Sequence, residues 1–326
     1  MKRIFLCSIT LAVAAIVSTA SAQDKKPTIA VIPKGTTHEF WKSVHAGAVK
    51  ASQELNVEII WKGPLKEDDR EAQISVVEDF INRGVQGICL APLDDAALRP
   101  AVHSAVSAKI PVVIFDSDLK GGEYVSFVAT DNFKGGQLAG EQLAKAIGGK
   151  GKVVMLRYAE GSASTGNREK GFLDAIKKYP DIEVVSENQY GGATTESAQK
   201  ASENLLAPLK SGDNLKIDGI FTCNESTTFG MLRTLQDAGL AGNVKFVGFD
   251  ASAKLVEALK KGEINGLVLQ NPFKMGYTSV KTIAESLKGQ KVEKRIDTGA
   301  TMVTKENMDQ PEIKELIQPD LEKWLK

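Results

Sequence analysis

Phe246-Val247-Gly248-Phe249-Asp250 is an apolar run that ends abruptly in a carboxylate. A near-continuous run of large apolar residues is typical of a parallel β-strand that is buried on both faces. Further runs have the same form and also end in a polar side chain: Val112-Val113-Ile114-Phe115-Asp116, Gly219-Ile220-Phe221-Thr222-Cys223-Asn224 and Gly266-Leu267-Val268-Leu269-Gln270. In open α/β sheets, ligands bind just beyond the carboxyl ends of such strands. The pattern therefore predicts a site for a hydroxyl-rich ligand and argues against a nucleophilic mechanism.

Strand-like and helical patterns alternate along almost the whole chain. The predicted helices include residues 41–55, 70–83, 98–108, 135–147, 167–178, 194–206, 226–238, 251–260 and 274–287. Alternation of this kind predicts an α/β fold of two doubly wound parallel-sheet domains. The helix at 274–287 follows a complete second set of elements, so we expect this segment to return to the first domain. No low-complexity linker separates the two sets, which favours domains joined by several crossing segments.

The first 22 residues have the pattern of a secretory signal peptide. Lys2 and Arg3 form a charged start, and residues 4–17 are mostly apolar but too short to span a bilayer. Ala20-Ser21-Ala22 is a small-residue cleavage site. We therefore expect export, with cleavage after Ala22, and a mature chain long enough for two domains.

Composition excludes several classes of partner. The chain carries 41 basic and 41 acidic residues, a formal net charge of zero, so no basic excess points to nucleic acid or to an anionic surface. Beyond the signal peptide, Cys89 and Cys223 lie in apolar runs that we expect in different domains. Buried free thiols are the expectation for both residues, rather than a disulfide or a metal site.

Motifs of the common enzyme classes are missing. The chain has no GxSxG elbow, no GxxxxGK[ST] phosphate loop and no HExxH zinc pair. Residues 161–166 are rich in Gly and Ser but lack the lysine and the spacing of a phosphate-binding loop, so we interpret them as a flexible strand-to-helix loop. His45 and His103 fall within predicted helices, where a structural role is expected. We predict no catalytic residue, no metal and no cofactor.

Other residues suit the binding of a sugar. Phe40 and Trp41 follow the first predicted strand, and aromatic faces pack against the C–H face of a sugar ring, although either could be a core residue. Arg168 is predicted at the start of a helix, where its planar fork could donate to adjacent hydroxyls or form a surface ion pair. The strand-end residues could cap the turns that follow them, but their shared position favours contact with a ligand.

A set of short motifs carries a family resemblance. In order along the chain they are Phe40-Trp41 with Ala46-Gly47-Ala48, Pro111-Val112 leading to Asp116, Thr130-Asp131-Asn132, Arg168-Glu169-Lys170-Gly171-Phe172, Phe221 to Asn224, Val247-Gly248-Phe249-Asp250 and Leu269-Gln270. In this order and spacing the chain resembles the periplasmic sugar-binding proteins of ABC importers, the ribose-binding type of class I solute-binding protein. The resemblance covers nearly the whole mature chain.

The resemblance implies a periplasmic binding protein-like type I fold with a three-segment hinge. One lobe would comprise residues 23–130 plus 271–299 and the other residues 131–270 plus 300–326, with crossings near 130–131, 270–271 and 299–300. It also implies a periplasmic, monomeric protein, not an enzyme, that captures a monosaccharide-like ligand in the cleft and delivers it to an ABC permease. The implied ligand contacts are the aromatic residues Phe40 and Trp41, the arginine Arg168 and the strand-end residues Asp116, Asn224, Asp250 and Gln270.

The chain departs from the ribose-binding pattern at the rim of the expected pocket. His38 stands where that type has asparagine, and Ser117 stands where it has arginine. A further stacking aromatic is missing, with Ala193 in its place, and Tyr158 could supply that surface from another direction. Two features are instead similar to the binders of furanosyl autoinducers and rhamnose: Lys34 after Val31-Ile32-Pro33, and the run Asp116-Ser117-Asp118. We therefore add Lys34, His38, Ser117 and Tyr158 to the candidate ligand contacts.

Three alternatives remain open at this point. The ligand could be a furanosyl autoinducer or a deoxysugar, and the protein could serve a chemoreceptor or a sensor kinase rather than an importer. A periplasmic sugar-processing enzyme would use Asp116 and Asp250 as its pair of carboxylates. A repressor-type effector domain shares the fold but would need an N-terminal DNA-binding helix-turn-helix, where this chain has a signal peptide.

Overall fold

The computed structural model describes residues 26–212 and 214–325. The predicted signal peptide and its cleavage site lie outside these residues. Within them, no helix is both long enough and apolar enough to cross a membrane.

The strands and helices follow each other in the predicted alternation. The strands are β1 (Thr28–Ile32), β2 (Glu58–Trp61), β3 (Gly87–Leu90), β4 (Val112–Phe115), β5 (Ser126–Ala129), β6 (Gly151–Arg157), β7 (Ile182–Tyr190), β8 (Lys210–Ser211), β9 (Asn214–Leu215), β10 (Gly219–Thr222), β11 (Lys245–Phe249), β12 (Gly266–Leu269), β13 (Arg295–Asp297) and β14 (Thr301–Val303). The helices are α1 (Glu39–Leu55), α2 (Arg70–Asn82), α3 (Arg99–Ser107), α4 (Asn132–Ala146), α5 (Ala163–Ile176), α6 (Thr195–Leu206), α7 (Glu225–Asp237), α8 (Ala253–Lys261), α9 (Pro272–Leu287) and α10 (Pro311–Ile317).

The first domain is built on a parallel sheet of order β13-β5-β4-β3-β1-β2. Helices α1 and α9 cover one face, where Trp41, Val44 and Met275 are buried against the strands. Helices α2 and α3 cover the other face with Phe80 and Val102. Because helices shield both faces, every residue of β3, β4 and β5 is buried, which explains their continuous apolar sequences.

The second domain repeats this plan with the sheet order β14-β12-β11-β10-β6-β7. The sheet is parallel except for β14, which pairs antiparallel with β12 at the edge. Helices α4 and α5 pack on one face around Phe172, and α6, α7 and α8 pack on the other around Phe246. The prediction of two doubly wound parallel-sheet domains is therefore confirmed.

Three crossing segments join the two sheets: the residues between β5 and α4, between β12 and α9, and between β13 and β14. Two of them are tied to each other, because the Thr130 hydroxyl donates to the Gly299 carbonyl over 3.1 Å. The Asp297 carboxylate accepts from the Asp131 amide at 3.1 Å and from the Gly299 amide at 2.8 Å. The hinge is thus a hydrogen-bonded unit.

A close helix crossing stabilises each domain. In the first domain, α1 and α9 cross with Gly47 facing the carbonyl of Phe273 and Gly276 facing the carbonyl of Val44. In the second, α4 and α5 cross with Gly136 facing the carbonyl of Arg168 and Gly171 facing that of Phe133. A Cβ at any of these glycines would overlap a backbone oxygen of the partner helix, so the crossings require residues without side chains.

The structure corrects the predicted start of the helix that carries Arg168. Helix α5 begins at Ala163, after Ser162 in the N-cap position, and not near residue 167. Residues 163–166 are therefore helical, and the interpretation of 161–166 as a loop was wrong for most of that segment. Gly166 lowered the apparent helix propensity, but one glycine costs a helix only about 1 kcal/mol. Arg168 consequently lies in the second turn of α5.

Two other parts of the chain differ from the sequence prediction. The short hairpin of β8 and β9, and the strands β13 and β14, were not predicted, because runs of two or three residues carry no periodic signal. At the C-terminus, α10 packs on the second domain through Ile313. The ring of Trp324, however, lies 6.4 Å from the ring of Phe273 in the first domain.

Candidate ligand-binding site

Two carboxylates follow equivalent strands of the two sheets. Asp116 follows β4 and Asp250 follows β11, and their amides donate to the carbonyls of Val128 (3.0 Å) and Val268 (2.9 Å) on the neighbouring strands. Both residues have left-handed backbone conformations, with φ of 60° and 69°. Positive φ outside glycine is uncommon and is tolerated best by Asp and Asn. This conformation directs the chain away from the sheet and leaves both carboxylates buried between the domains.

Asp250 is held by hydrogen bonds from two directions. Its carboxylate accepts from Gln270 Nε2 at 2.7 Å and from the Glu225 amide at 3.0 Å. Arg168 Nη1 lies 4.0 Å from the same carboxylate. Burial raises the pKa of Asp250, and the Arg168 charge and the Gln270 hydrogen bond oppose that rise. The carboxylate is thus held rigidly at the floor of the cleft.

Arg168 is buried, with 2% of its surface exposed, so it forms no surface ion pair. Its Nε donates to Asn132 Oδ1 at 2.8 Å and its Nη1 to the Cys223 carbonyl at 3.0 Å. The guanidinium carbon stands 4.0 Å from the centre of the Phe249 ring, a cation–π contact. These contacts fix the plane of the guanidinium group beside Asp250.

Asp116 is paired with Lys34 rather than with an arginine. The two charged atoms are 3.2 Å apart and both side chains are buried. Lys34 Nζ also donates to Ser164 Oγ at 3.0 Å and to Ser162 Oγ at 3.4 Å, and both serines belong to the second domain. The lysine therefore spans the cleft.

Glu67 is a buried carboxylate that the sequence analysis missed. It contacts His38 at 2.7 Å, accepts from the Trp41 indole, and accepts from the Tyr158 hydroxyl at 2.7 Å. Burial alone would raise the pKa of Glu67, but the His38 charge and hydrogen bond, with help from Lys34 and Trp41, lower it to about 2. Burial opposes ionisation of His38, yet Glu67 raises the pKa of the imidazole to about 9.

Tyr158 comes from the second domain and reaches Glu67 of the first. The tyrosine is 2% exposed, and burial followed by the Glu67 charge raises its pKa well above the usual range. Ala193, which stands where the resemblance leads one to expect an aromatic, is buried in the same apolar cluster as Tyr158. The hydroxyl bond to Glu67 joins the two domains at this side of the cleft.

Glu225 is the second carboxylate missed from the sequence. It is the first residue of α7, and it accepts from the amides of Glu39 (3.2 Å) and Phe40 (3.1 Å) at the start of α1. Burial raises the pKa of Glu225 to about 7, while the His38 charge and the amide of Phe40 act in the opposite direction. An acidic residue in the first turn of a helix is commonplace, so the sequence carried no signal for this contact.

The aromatic pair lies in the first turn of helix α1. Phe40 and Trp41 meet edge to face, with ring centres 4.8 Å apart at 88°, and Trp41 continues to Phe115 at 6.3 Å. Both residues are mostly buried. They provide an apolar wall beside the carboxylates.

Most of the predicted contacts surround one cavity of about 30 Å³ between the domains, and its lining residues are Lys34, His38, Phe40, Trp41, Glu67, Asp116, Tyr158, Ser164, Thr165, Arg168, Asn224, Glu225, Asp250 and Gln270. This space corresponds to only a few water molecules, so a sugar ring requires the domains to separate. A larger depression of about 370 Å³ beside His103 lies on the surface away from these residues.

Two predicted contacts also have partners within the protein. Ser117 is not among the cavity-lining residues, and its hydroxyl accepts the amide hydrogen of Ser164 at 3.1 Å, across the cleft. Asn224 lines the cavity but also caps α7, since its side-chain oxygen accepts from the Thr227 amide at 3.2 Å. The thiols of Cys89 and Cys223 are free and buried, one in each domain, as predicted.

A family model described as a periplasmic binding protein domain matches residues 29–291. The chain belongs to this family. Ribose import binding protein RbsB of Haemophilus influenzae is 30% identical over 299 residues, covering 92% of this chain and 98% of the relative. The D-ribose/D-allose-binding protein of Pseudomonas aeruginosa is 30% identical over 284 residues, covering 84% of this chain and 86% of the relative.

Solved structures of solute-binding proteins show the same fold. An ABC transporter solute-binding protein from Agrobacterium vitis, with bound D-fucose, is 38% identical with a TM-score of 0.85, covering 89% of this chain and 100% of its own. A carbohydrate transporter solute-binding protein from Agrobacterium radiobacter, in complex with D-arabinose, is 36% identical with a TM-score of 0.85, covering 90% of this chain and 99% of its own.

Proposed function

We propose that this protein captures a monosaccharide-like ligand between its two domains and delivers it to an ABC sugar permease. The family and the sugars bound by similar proteins support this function. The proposed contacts from the first domain are Lys34, His38, Phe40, Trp41 and Asp116, with Ser117 at the rim. Those from the second are Tyr158, Arg168, Asn224 and Asp250, and Gln270 lies at the hinge.

The observation that carries this proposal is an unpaired acceptor on the side chain of Gln270. Its Oε1 is buried and has no hydrogen-bond partner among the residues that the structure describes. The amide cannot simply be turned round, because Nε2 donates to Asp250. A buried acceptor without a donor costs about 1–3 kcal/mol. A ligand hydroxyl donating to this oxygen would remove that cost.

Ligand capture would work by closure about the hinge. A ligand that touches both domains stabilises the closed form, and it can shift the equilibrium only by its difference in affinity for the two forms. Hydrogen bonds to charged groups contribute about 1.5–3 kcal/mol each. A few such bonds to Asp116, Arg168 and Asp250, with packing on Phe40, would give micromolar affinity, about −8 kcal/mol.

The domain boundaries, the route of export and the oligomeric state belong to the same proposal. The lobes would comprise residues 23–130 plus 271–299 and residues 131–270 plus 300–326, the last segment ending on the first lobe through Trp324. The N-terminal pattern supports export to the periplasm with cleavage after Ala22. We propose that the protein acts as a monomer and performs no chemistry on its ligand.

Lys34 favours a second class of ligand. Its Nζ lies beside Ser162 and Ser164 at the start of α5, where a keto oxygen or an anionic group of the ligand would find several donors. A furanosyl autoinducer or a deoxysugar therefore stays an alternative to an unmodified pentose or hexose. Service to a chemoreceptor or a sensor kinase would use the same site.

A thermal-shift screen tests the function. The panel would contain D-ribose, D-allose, D-arabinose, D-fucose, other pentoses, hexoses and deoxysugars, inositols and furanosyl autoinducers, with amino acids as controls. A ligand at a hundred times its Kd stabilises the folded state by about 2.7 kcal/mol, so we expect Tm to rise by roughly 5–10 °C. No shift with any sugar, or a shift with amino acids alone, would contradict the proposal. Recovery of the unaltered sugar by mass spectrometry would exclude turnover.

Replacing Lys34 by methionine is expected to weaken binding of the selected sugar by roughly tenfold or more. Methionine has a similar length but leaves the buried Asp116 without its cation, and breaking a buried ion pair is costly. Titration calorimetry would measure the affinity. The exposed Lys42 provides a matched control, since Lys42→Met should bind normally. Equal affinity in both variants would mean that Lys34 has no part in the site.

A further inference from the structure

Helix α1 begins without a side-chain cap of its own. Its N-cap residue is His38, whose side chain makes no capping hydrogen bond. Three other long helices have such a cap, because Asp131 caps α4, Asn224 caps α7 and Asn271 caps α9. The first amides of a helix have no partner within it, so those of α1 need an acceptor from elsewhere.

The acceptor comes from the other domain. The two carboxylate oxygens of Glu225 accept from the amides of Glu39 and Phe40, one each, at 3.2 and 3.1 Å. The contact is also reciprocal, because the Glu39 carboxylate accepts from the amide of Ala253 at the start of α8, at 3.2 Å. A carboxylate of each domain thus accepts from the first amides of a helix in the other domain, and separation of the domains breaks both contacts.

We propose that Glu225 is a positioning residue that caps α1 across the cleft and thereby favours the closed form, because separation of the domains removes the cap. The inference rests on the proposed function, because it concerns the closure that would trap a ligand. Glu225 also stands next to the candidate site, since its own amide donates to Asp250. Closure would therefore bring the α1 cap and the principal candidate ligand-binding carboxylate together.

Several charged groups face Glu225. His38 and Glu39 approach from the start of α1, and Asp250 approaches from the end of β11 with Arg168 behind it. Both carboxylate oxygens of Glu225 accept amide hydrogens, and hydrogen bonds of this kind are strongest to the ionised carboxylate.

Two replacements of Glu225 separate the capping contacts. Glutamine has one side-chain oxygen, so Glu225→Gln can keep one of the two amide hydrogen bonds, whereas Glu225→Ala keeps neither.

Cross-linking measures closure without any sugar. Lys66 and Glu196 are exposed residues of the two domains, and their charges interact in the closed form. Cysteines at both positions would react with a short bismaleimide at a rate that reports the population of the closed form. Cys89 and Cys223 are buried and free, so they should not compete. The rate would be compared among this double-cysteine protein, its Glu225→Gln and Glu225→Ala derivatives, and a Glu257→Ala control on the exposed face of α8.

We expect Glu225→Ala to cross-link several-fold more slowly than the parent at neutral pH, because it leaves both α1 amides uncapped, and Glu225→Gln to lie between the two. Glu257→Ala should react as the parent does. A rate for Glu225→Ala equal to that of the parent overturns the proposal. Because no sugar is added, these outcomes are independent of whether the sugar screen succeeds.

Discussion

Asp250→Asn is expected to weaken binding of the selected sugar by roughly thirtyfold or more while the protein remains folded. The carboxylate lies beside Arg168 and is the only charged acceptor in its hydrogen-bonded group with Gln270 and the Glu225 amide. Asparagine keeps the size but removes the charge. Loss of one partner from a buried, hydrogen-bonded charge pair costs about 2–5 kcal/mol, which corresponds to the expected loss of affinity.

Asparagine is the appropriate replacement because of the backbone at this position. Asp250 has φ of 69°, a conformation that asparagine adopts readily and alanine does not. Alanine would therefore add backbone strain to the loss of the carboxylate, and a weakened affinity could not be assigned to the ligand contact. The same reasoning applies to Asp116, with φ of 60°.

Titration calorimetry with the sugar selected by the thermal-shift screen would measure the loss. Asp309→Asn serves as the control, since that side chain is 84% exposed in a surface pair with Lys314. The circular dichroism spectrum and the Tm of the sugar-free variants would verify that both are folded. Affinity within a factor of two of the parent for Asp250→Asn would remove Asp250 from the site.

The sequence predicted the floor of the site well because the floor is encoded locally. Each apolar run that ends in Asp116, Asp250 or Gln270 forms a strand buried on both faces, and parallel strands bring their carboxyl ends to one edge. The position of a polar residue directly after such a run thus fixes where it lies in the fold. No knowledge of tertiary contacts is needed for that step.

The two further carboxylates of the site, Glu67 and Glu225, could not be predicted in this way. Glu67 lies in the segment between β2 and α2 and Glu225 at the start of a helix, and in sequence both resemble ordinary solvated carboxylates. Glu67 is buried and Glu225 is half-buried because the two domains approach each other, which brings Tyr158 to Glu67 and α1 to Glu225. Contacts of this kind depend on the relative orientation of the two domains. The periodicity and spacing of residues along one chain do not indicate that orientation.

Ser117 shows what the sequence leaves open at the rim. It became a candidate contact because serine stands where the ribose-binding type has arginine. In the structure its hydroxyl accepts the amide hydrogen of Ser164 in the second domain. The residue type alone does not encode this partner across the cleft, and contact of Ser117 with the ligand stays a prediction.

Gly171→Ala is expected to destabilise the protein by roughly 3 kcal/mol or more, although it adds a single methyl group. A Cβ at this position would overlap the carbonyl oxygen of Phe133 and stand 2.9 Å from its carbonyl carbon. These are backbone atoms of α4, so they cannot move aside without separating two helices that cover one face of the sheet. Overpacking of a tight core costs about 1–3 kcal/mol where side chains can adjust, and a rigid backbone neighbour should bring the cost to the top of that range or beyond.

Gly166→Ala in the same helix is the matched control. No atom lies within 4 Å of the position that its Cβ would occupy, and its φ is not positive. Alanine reduces the freedom of the unfolded chain and raises helix propensity, so this variant should be stabilised by about 0.5–1 kcal/mol. Urea denaturation followed by circular dichroism would measure both changes. Equal stability of the two variants would mean that α4 and α5 do not cross in close contact at Gly171, whereas opposite signs would establish the crossing as a packing constraint on the second domain.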